Sequence, residues 1–152
     1  MQLAHAVAQD QTVSGLRPVF SRSATRFHHP WRMLALLTYA YASGIWQSRA
    51  LADIAALDPH LAELCHGEPP SEDVIRRFRN QNSASIRRCL EHLLRLLWCE
   101  RHNARLADLH PLLIAEILRN VRSRLRHAEQ SDEGNHRFFD AKEEEFLKEE
   151  EK

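Results

Sequence analysis

Apolar residues recur every three or four positions along most of the chain, which is the spacing of helices with one buried side. The first strong pattern begins at Pro30, since proline is tolerated in the first helical turn. It ends at Gly44, because glycine readily adopts the left-handed conformation that ends a helix. This stretch is apolar on most sides, which predicts a deeply buried helix. Similar patterns predict helices over 48–57, 71–80, 83–101 and 111–126, with one or two helical turns near 61–65.

Polar residues between these patterns indicate where the helices begin and end. Ser48 and Ser71 are predicted N-caps, because a serine hydroxyl accepts a hydrogen bond from the backbone of the first turn. Asp58-Pro59 is predicted to break a helix, and Gly-Glu-Pro-Pro at 67–70 is predicted to form a turn. The polar residues 80–83 are predicted to be a joint between two helices.

The patterns predict an all-α fold. No stretch alternates between apolar and polar residues as a half-buried strand does, and no segment repeats. We therefore expect a compact bundle of five to seven short helices with an acidic C-terminal tail. The expected parts are a loosely ordered arm over 1–29, a helical domain over 30–128, and a tail over 129–152 that is a frayed helix or disordered.

The charges of the chain sum to zero but are unevenly distributed. Basic and acidic residues number 21 each, and the basic residues are 18 Arg and 3 Lys. Residues 17–128 hold 17 basic and 10 acidic residues, a net charge of +7, whereas residues 129–152 hold 4 and 10, a net charge of −6. A basic body with an acidic end favours a nucleic-acid partner. An arginine-rich coding sequence followed by a solvated tail has the same composition.

Cysteine content and hydropathy favour a cytoplasmic protein without a membrane partner. Three cysteines cannot form a disulfide framework, which favours a reducing, intracellular setting. The longest apolar stretch, Met33 to Ala42, is shorter than the roughly 20 residues that span a bilayer. The first 16 residues contain neither Lys nor Arg, so they lack the basic start of a secretory signal.

Two stretches resemble the N-terminal helical domain of InsH-like insertion-sequence transposases. The first, at 30–45, reads Pro-Trp-Arg-Met-Leu-Ala-Leu-Leu-Thr-Tyr-Ala-Tyr-Ala-Ser-Gly-Ile and is followed by Ser48-Arg49. The second, at 69–79, reads Pro-Pro-Ser-Glu-Asp-Val-Ile-Arg-Arg-Phe-Arg and is followed by Asn-Gln-Asn. The family pattern is a buried helix ending in Gly-Ile, a Ser-Arg start to a second helix, a proline-containing turn, and a helix of the type Ile-x-Arg-Phe-Arg. The resemblance covers residues 30–94.

This resemblance implies a helix-turn-helix-like domain that binds double-stranded DNA at the terminal repeats of an insertion sequence. Helices 48–57 and 71–80 would form the unit, with the second helix in the major groove. Guanidinium groups suit this role because phosphates and guanine edges accept bidentate contacts. The alternative is that the arginines only solvate a helix face or pair with Glu72, Asp73 and Glu91. The predicted DNA-binding residues are Arg76, Arg77 and Arg79, then, as phosphate contacts, Arg87, Arg88, Ser48 and Arg49.

The chain departs from the resemblance in its second half. A full transposase of this kind continues into a ribonuclease-H-like domain, where two Asp and one Glu bind two metal ions. Nothing after residue 100 predicts the strands of such a domain, and Asp108, Asp132 and Asp140 lie in helical or loop contexts. We therefore predict no catalytic residue and no cofactor in this chain. The sequence leaves open a helper or repressor of a full-length transposase, or the remnant of a broken element.

Two Cys-x-x-His pairs have the spacing of zinc half-sites. Cys89 pairs with His92, and Cys99 with His102. Both pairs fall in one predicted helix, about 15 Å apart along its axis, which is too far for one tetrahedral ion. We therefore expect core cysteines, surface histidines and no metal site.

A protein-interaction module is the alternative function. The predicted helices 83–101 and 111–126 have wide apolar stripes, which would suit a homodimer seam or the surface of a catalytic transposase partner. In this alternative the arginines serve solubility and DNA is not bound. Sedimentation and DNA titration of the same sample separate the two functions.

Overall fold

The chain folds mainly into α-helices, which confirms the predicted all-α class. This computed structural model describes residues 4, 6, 16–20, 27–65 and 67–150, with side chains as far as Asp132 except in the two strands. The elements are β1 (Val19–Phe20), β2 (Phe27–His28), α1 (Pro30–Ser43), α2 (Ser48–Leu57), α3 (Pro59–Leu64), α4 (Glu72–His102), a 3₁₀ turn (Leu106–Asp108) and α5 (Pro111–Glu150).

Helix α1 is buried along most of its length. Pro30 lies in its first turn and Gly44 ends it with φ 86°, both as predicted. The N–H of Gly44 donates to the carbonyl of Ala40, which satisfies one of the last carbonyls of the helix. Helix α4 packs along α1, and the apolar pattern predicted this burial correctly. The long side chains of α1 that are at most 1% exposed are Leu34, Leu36, Leu37 and Tyr41.

Asp58 ends α2, where the sequence predicts a break, and it also begins α3. Its backbone N–H donates to the carbonyl of Ile54 in the last turn of α2. Its carboxylate accepts from the N–H groups of His60 and Leu61 in the first turn of α3. Pro59 fits between them because it has no N–H that needs a partner.

Helix α4 is longer than predicted. Ser71 is its N-cap, as expected, and the serine hydroxyl accepts from the N–H of Val74 at 3.4 Å. The joint expected at 80–83 is a kink inside a continuous helix, with Asn82 at φ −124° and ψ 21°. The kink is tolerated because the side-chain amide of Asn82 donates to the carbonyl of Phe78 at 3.1 Å. Two predicted helices therefore form one.

Asn82 also fastens the segment before β1 to α4. Its Oδ1 accepts from the N–H of Arg17 at 2.7 Å, and its Nδ2 donates to the carbonyl of Arg17 at 3.0 Å. Strand β1 lies against α4 and pairs antiparallel with β2. The sequence predicted no strand, because strands of two residues are too short for alternation to appear. Most of the arm predicted over 1–29 lies outside the described residues.

Helix α5 also exceeds its predicted length. It begins at Pro111, as predicted, and runs to Glu150, far beyond the end predicted at residue 126. A glycine inside a helix costs only about 1 kcal/mol, so Gly134 alone does not end it. The hydroxyl of Ser131 donates back to the carbonyl of His127 at 2.7 Å, within the helix. Neither α5 nor any other helix in the described ranges is long and apolar enough to cross a membrane.

Candidate nucleic-acid interface

Helix α4 has a buried side and an opposite exposed side along its first turns. Val74, Ile75 and Phe78 lie on the buried side and are at most 1% exposed. Because a helix has about 3.6 residues per turn, the outward positions recur at intervals of three and four. The outward positions from Arg76 to Arg88 are Arg76, Arg77, Asn80, Gln81, Ser83, Ala84, Arg87 and Arg88.

Arg76 and Arg77 lie near the beginning of this exposed side and share one carboxylate. Asp73 lies 3.7 Å from Arg76 and 3.1 Å from Arg77. The side chains of the two arginines are 26% and 36% exposed, so both reach solvent. The pairing with Asp73 is the one that the alternative reading of these arginines expected. Exposed pairs of this kind contribute only about 0–1 kcal/mol, so another anion can replace Asp73 at small cost.

Arg87 and Arg88 lie about three turns further along α4. Both are exposed, and neither makes an ion pair with any residue that the structure describes. Arg88 donates to the hydroxyl of Ser85 at 3.3 Å, within the same helix. Among the described residues, no carboxylate therefore neutralises the positive charge of these two arginines.

Asn80 and Gln81 are candidate contacts that the sequence analysis did not include. It placed them in a polar joint, whereas both are exposed on the continuous helix α4. Side-chain amides pair with adenine edges, and arginines with guanine edges, in the major groove. The sequence contained a signal for this arrangement. When one helix is extended through Asn82, the positions that fall on the same side as Arg76 and Arg77 are Asn80 and Gln81.

Arg79 does not lie on the exposed side, which corrects its predicted contact with DNA. The residue is 3% exposed, and its Nη2 lies 2.6 Å from Oδ2 of Asp132 in α5. Its Nη1 also donates to the carbonyl of Ala128 at 3.3 Å and to the hydroxyl of Ser48 at 3.5 Å. Arg79 therefore joins α4 to α5 inside the protein, and Asp132, assigned from sequence to the tail, belongs to the core.

Ser48 is likewise buried, so the predicted phosphate contact is corrected as well. It is 1% exposed and occupies the first helical position of α2, where Gln47 rather than Ser48 is the N-cap. Its N–H and hydroxyl donate to Asp132 at 2.9 and 2.5 Å, to one carboxylate oxygen each. The hydroxyl thus donates to a carboxylate in α5 instead of accepting from the backbone of its own helix, as an N-cap would. Arg49, the next residue, is exposed.

Tyr41 completes the surroundings of this buried pair. Burial raises the pKa of Tyr41 to about 12, although the charge of Arg79 acts in the opposite direction. The Tyr41 hydroxyl makes no hydrogen bond of acceptable geometry with a described residue. Burial alone would lower the pKa of Arg79, but Tyr41 and Asp132 raise it, and the net change is upward. Arg79 therefore keeps its charge.

The two helices expected to form a helix-turn-helix unit are not joined by a short turn. Helix α3 and a turn at Gly67, with φ 73°, lie between α2 and α4. Helix-turn-helix motifs have connections of about 3–4 residues. Helices α2 and α4 still pack against each other, so they form a helical unit with an inserted third helix.

Cys89 and Cys99 are buried, as expected from the sequence, and Cys65 is half-buried. Cys89 and Cys99 are 0% and 7% exposed. Burial raises the pKa of Cys89 to about 11, and that of Cys65 to about 11 as well, so both are thiols at neutral pH. No group of three or more His, Cys, Asp and Glu side chains suited to a metal ion lies within the described ranges.

A family comparison adds an independent observation to this geometry. The family model described as Transposase domain (DUF772) matches residues 2–81, more than half of the chain. The chain belongs to this transposase-domain family. Comparisons with curated proteins and with solved structures found no match. The matched range contains the two stretches that resemble InsH-like transposases, at 30–45 and 69–79.

The transposase domain continues structurally beyond the matched residues. The match ends beside the kink at Asn82, within α4. The core of the domain is nevertheless completed by α5, whose Val121 and Ala128 are both 0% exposed. Arg79, inside the matched range, pairs with Asp132 outside it. Helix α5 is therefore part of the folded unit.

Proposed function

We propose that this transposase domain binds double-stranded DNA at the terminal repeats of an insertion sequence, using the exposed side of α4. Membership of a transposase-domain family supports this proposal, because transposition begins with recognition of element ends. The observation that carries it is the row of guanidinium and amide groups from Arg76 to Arg88. These are the side chains that read base edges and hold phosphates.

The dimensions of α4 fit this role. Arg76 and Arg88 are separated by about 18 Å along the helix axis. An α-helix with side chains is about 10–12 Å wide, and the major groove of B-DNA is about 12 Å wide. The exposed side of α4 can therefore lie in the groove over several base pairs, while the core side stays packed against α1.

The residues divide into two roles in this proposal. Arg76, Arg77, Asn80 and Gln81 reach base edges, and the two arginines exchange Asp73 for DNA when they bind. The proposed phosphate contacts, which fix position but carry no sequence information, are Arg87, Arg88 and Arg49.

The proposed activity is recognition without strand cutting. A chain that occupies element ends in this way acts as a helper of a catalytic transposase, or as its competitor. Incubation of the full chain with bound duplex and Mg²⁺ or Mn²⁺ tests this part, and any nicked product contradicts it.

Selection from randomised DNA duplexes tests the recognition. The full chain should enrich one sequence, and that sequence should match inverted repeats that flank its own coding sequence. Binding should weaken steeply with salt, because each neutralised phosphate contributes about −0.9 to the slope of log K against log salt. Absence of duplex binding at about 50 mM salt overturns the proposal.

Paired variants separate the two roles. Arg76→Gln with Arg77→Gln should relax the selected sequence, whereas Arg87→Gln with Arg88→Gln should reduce the salt slope by about 2 with the sequence preference kept. The control is Arg101→Gln with Arg105→Gln, which removes two exposed charges beyond the row, one in the last turn of α4 and one after the helix. If all three variants behave alike, the exposed side of α4 is not the recognition surface.

A further inference from the structure

Helix α5 carries a row of exposed arginines that the fold does not use. Arg119, Arg122 and Arg126 follow one another at spacings of three and four, so they lie on one side of the helix. The other side of α5 is buried, with Ile117 8% exposed and Val121 0% exposed. The row therefore faces solvent for its whole length.

None of these three arginines makes an ion pair within the part of the chain that the structure describes. They differ in this from Arg76 and Arg77, which share Asp73. Like charges three or four residues apart destabilise a helix. Repulsion among these three arginines therefore lowers the stability of α5 unless an anionic partner binds over them.

Arg124 lies on the same stretch of α5 but, unlike these three arginines, contacts another part of the fold. Its Nη1 donates to the carbonyls of Tyr41 at 2.8 Å and Ala42 at 2.9 Å, in the last turn of α1. Its guanidinium lies over the ring of Trp46, 5.6 Å from the ring centre. Arg124 thus caps α1, whereas its three neighbours point into solvent.

A cleft of about 550 Å³ opens beside the arginine row, between α5 and the turn that follows α1. Trp46 forms the wall opposite α5. A cleft of this volume is large enough for a nucleotide unit. Most of its polar side chains can donate a hydrogen bond: its α5 wall carries Arg119, Asn120, Ser123, Arg124 and His127, with Glu116 as the acidic member.

We propose that the exposed side of α5 is a second DNA-binding surface, which binds backbone phosphates and holds one of them in the Trp46 cleft. The proposal rests on the proposed function of the domain but concerns a different helix, outside the family match. Phosphate oxygens only accept hydrogen bonds, and they match the donors of the row and the cleft. Arg119 and Arg126 are about 10 Å apart along the helix, enough for more than one phosphate.

Duplex titrations of paired variants test the second surface. Arg122→Gln with Arg126→Gln should lower the salt slope by about 2 and leave the selected sequence unchanged, because phosphate contacts carry no sequence information. Arg101→Gln with Arg105→Gln is again the charge-matched control. Both positions of the test pair are exposed, so circular dichroism should show an intact fold.

Tryptophan fluorescence tests the cleft directly. DNA binding should change the emission of the full chain, and Trp46→Phe should remove the part of the change that Trp46 contributes. Arg119→Gln should remove the same part while the other emission changes persist. An emission change that Trp46→Phe leaves intact overturns the assignment of the cleft.

The outcomes distinguish this inference from the proposed function. If the wild type binds duplex and the Arg122/Arg126 pair binds as tightly and with the same salt slope, the second surface is overturned and α4 recognition stands. If the α4 variants bind normally but the α5 pair does not, the second surface stands and the α4 assignment falls. A pair that changes only sedimentation, or only binding to anionic lipid vesicles, also overturns the second surface.

Discussion

Arg79 of α4 and Asp132 of α5 form an ion pair of 2.6 Å in which both side chains are 4% exposed. The same carboxylate accepts the N–H and the hydroxyl of Ser48 at the beginning of α2. One side chain therefore connects three helices. Because the pair is buried, removing either partner leaves the other charge without compensation.

We expect Asp132→Asn to lower the free energy of unfolding by about 3–5 kcal/mol, because Arg79 keeps its charge in a buried position. Asparagine has nearly the same shape, so the loss reports the charge rather than a cavity. Urea unfolding followed by far-UV circular dichroism measures the change. Asp53→Asn, on the exposed side of α2, is the control and should change stability by less than about 0.5 kcal/mol.

Replacing both partners should be much less harmful than replacing one. Arg79→Met combined with Asp132→Asn removes both buried charges, and the asparagine carbonyl still accepts from the N–H of Ser48. We expect the double variant to be at least about 2 kcal/mol more stable than Asp132→Asn in the same urea experiment. If it is equally unstable, the ion pair is not what holds α5.

The position of Asp132 predicts where the chain can be shortened. A chain ending after residue 135 should unfold at nearly the same urea concentration as the full chain. A chain ending after residue 128 lacks Asp132 and should lose at least as much stability as Asp132→Asn. If the two shortened chains are equally stable, the domain ends at residue 128, as the sequence predicts, and Asp132 is not part of it.

The stability of the protein should fall in alkaline solution because of Tyr41. Burial raises its pKa to about 12, above the ordinary value of 10.0, so the folded protein holds the phenol proton more tightly than the unfolded chain. This contribution is complete below about pH 10 and is lost as the pH rises towards 12. We expect the wild type to lose about 1–2 kcal/mol more than Tyr41→Phe between about pH 8 and pH 11, which is about half of the full loss.

Urea unfolding at about pH 8 and at about pH 11 provides the measurement for Tyr41. At the lower pH, Tyr41→Phe should be no less stable than the wild type, because the buried hydroxyl has no hydrogen bond of acceptable geometry within the described residues. Tyr39→Phe, a half-buried position on the same helix, is the comparison. Parallel losses in the wild type and in Tyr41→Phe would contradict the assignment.

Asn82→Ala should loosen the segment before β1. The amide of Asn82 accepts from and donates to the backbone of Arg17, and alanine leaves both groups without their partner. We expect a loss of about 1–3 kcal/mol and faster hydrogen exchange at the Arg17 N–H. Gln81→Ala, one position away and exposed, should alter neither quantity. Unchanged exchange at Arg17 would contradict the role of Asn82.

Local features of the sequence predict much of the fold. The ends of α1 at Pro30 and Gly44, the cap at Ser71 and the helix break at Asp58-Pro59 depend only on neighbouring residues, and all of them are confirmed. The burial of Arg79 depends on Asp132, far along the chain, so local reasoning placed it on the surface. The sequence did contain a signal for the burial of both residues. Arg79 has helical spacing from the apolar residues Ile75 and Ile86, and Asp132 has helical spacing from Val121.

The candidate site was only partly predictable for the same reason. Arg87 and Arg88 are exposed on α4, where the apolar pattern of that helix placed them. Asn80 and Gln81 were missed because a run of four polar residues resembles a joint. Asn82, at the kink, exchanges hydrogen bonds with the backbone of Arg17. Because these bonds join two segments that are distant in sequence, local patterns could not predict them.

The continuity of α5 has a consequence for how the molecule approaches a charged partner. Residues 17–128 carry +7 and residues 129–152 carry −6, and a single helix of 40 residues, about 60 Å long, runs from one part into the other. The opposite charges are therefore separated along an axis, which gives a neutral protein a large electric dipole moment. In the field of a polyanion, a dipole turns before contact, so the molecule arrives with its arginine-rich end first. Its charge separation should speed association and orient it, even though its net charge is zero.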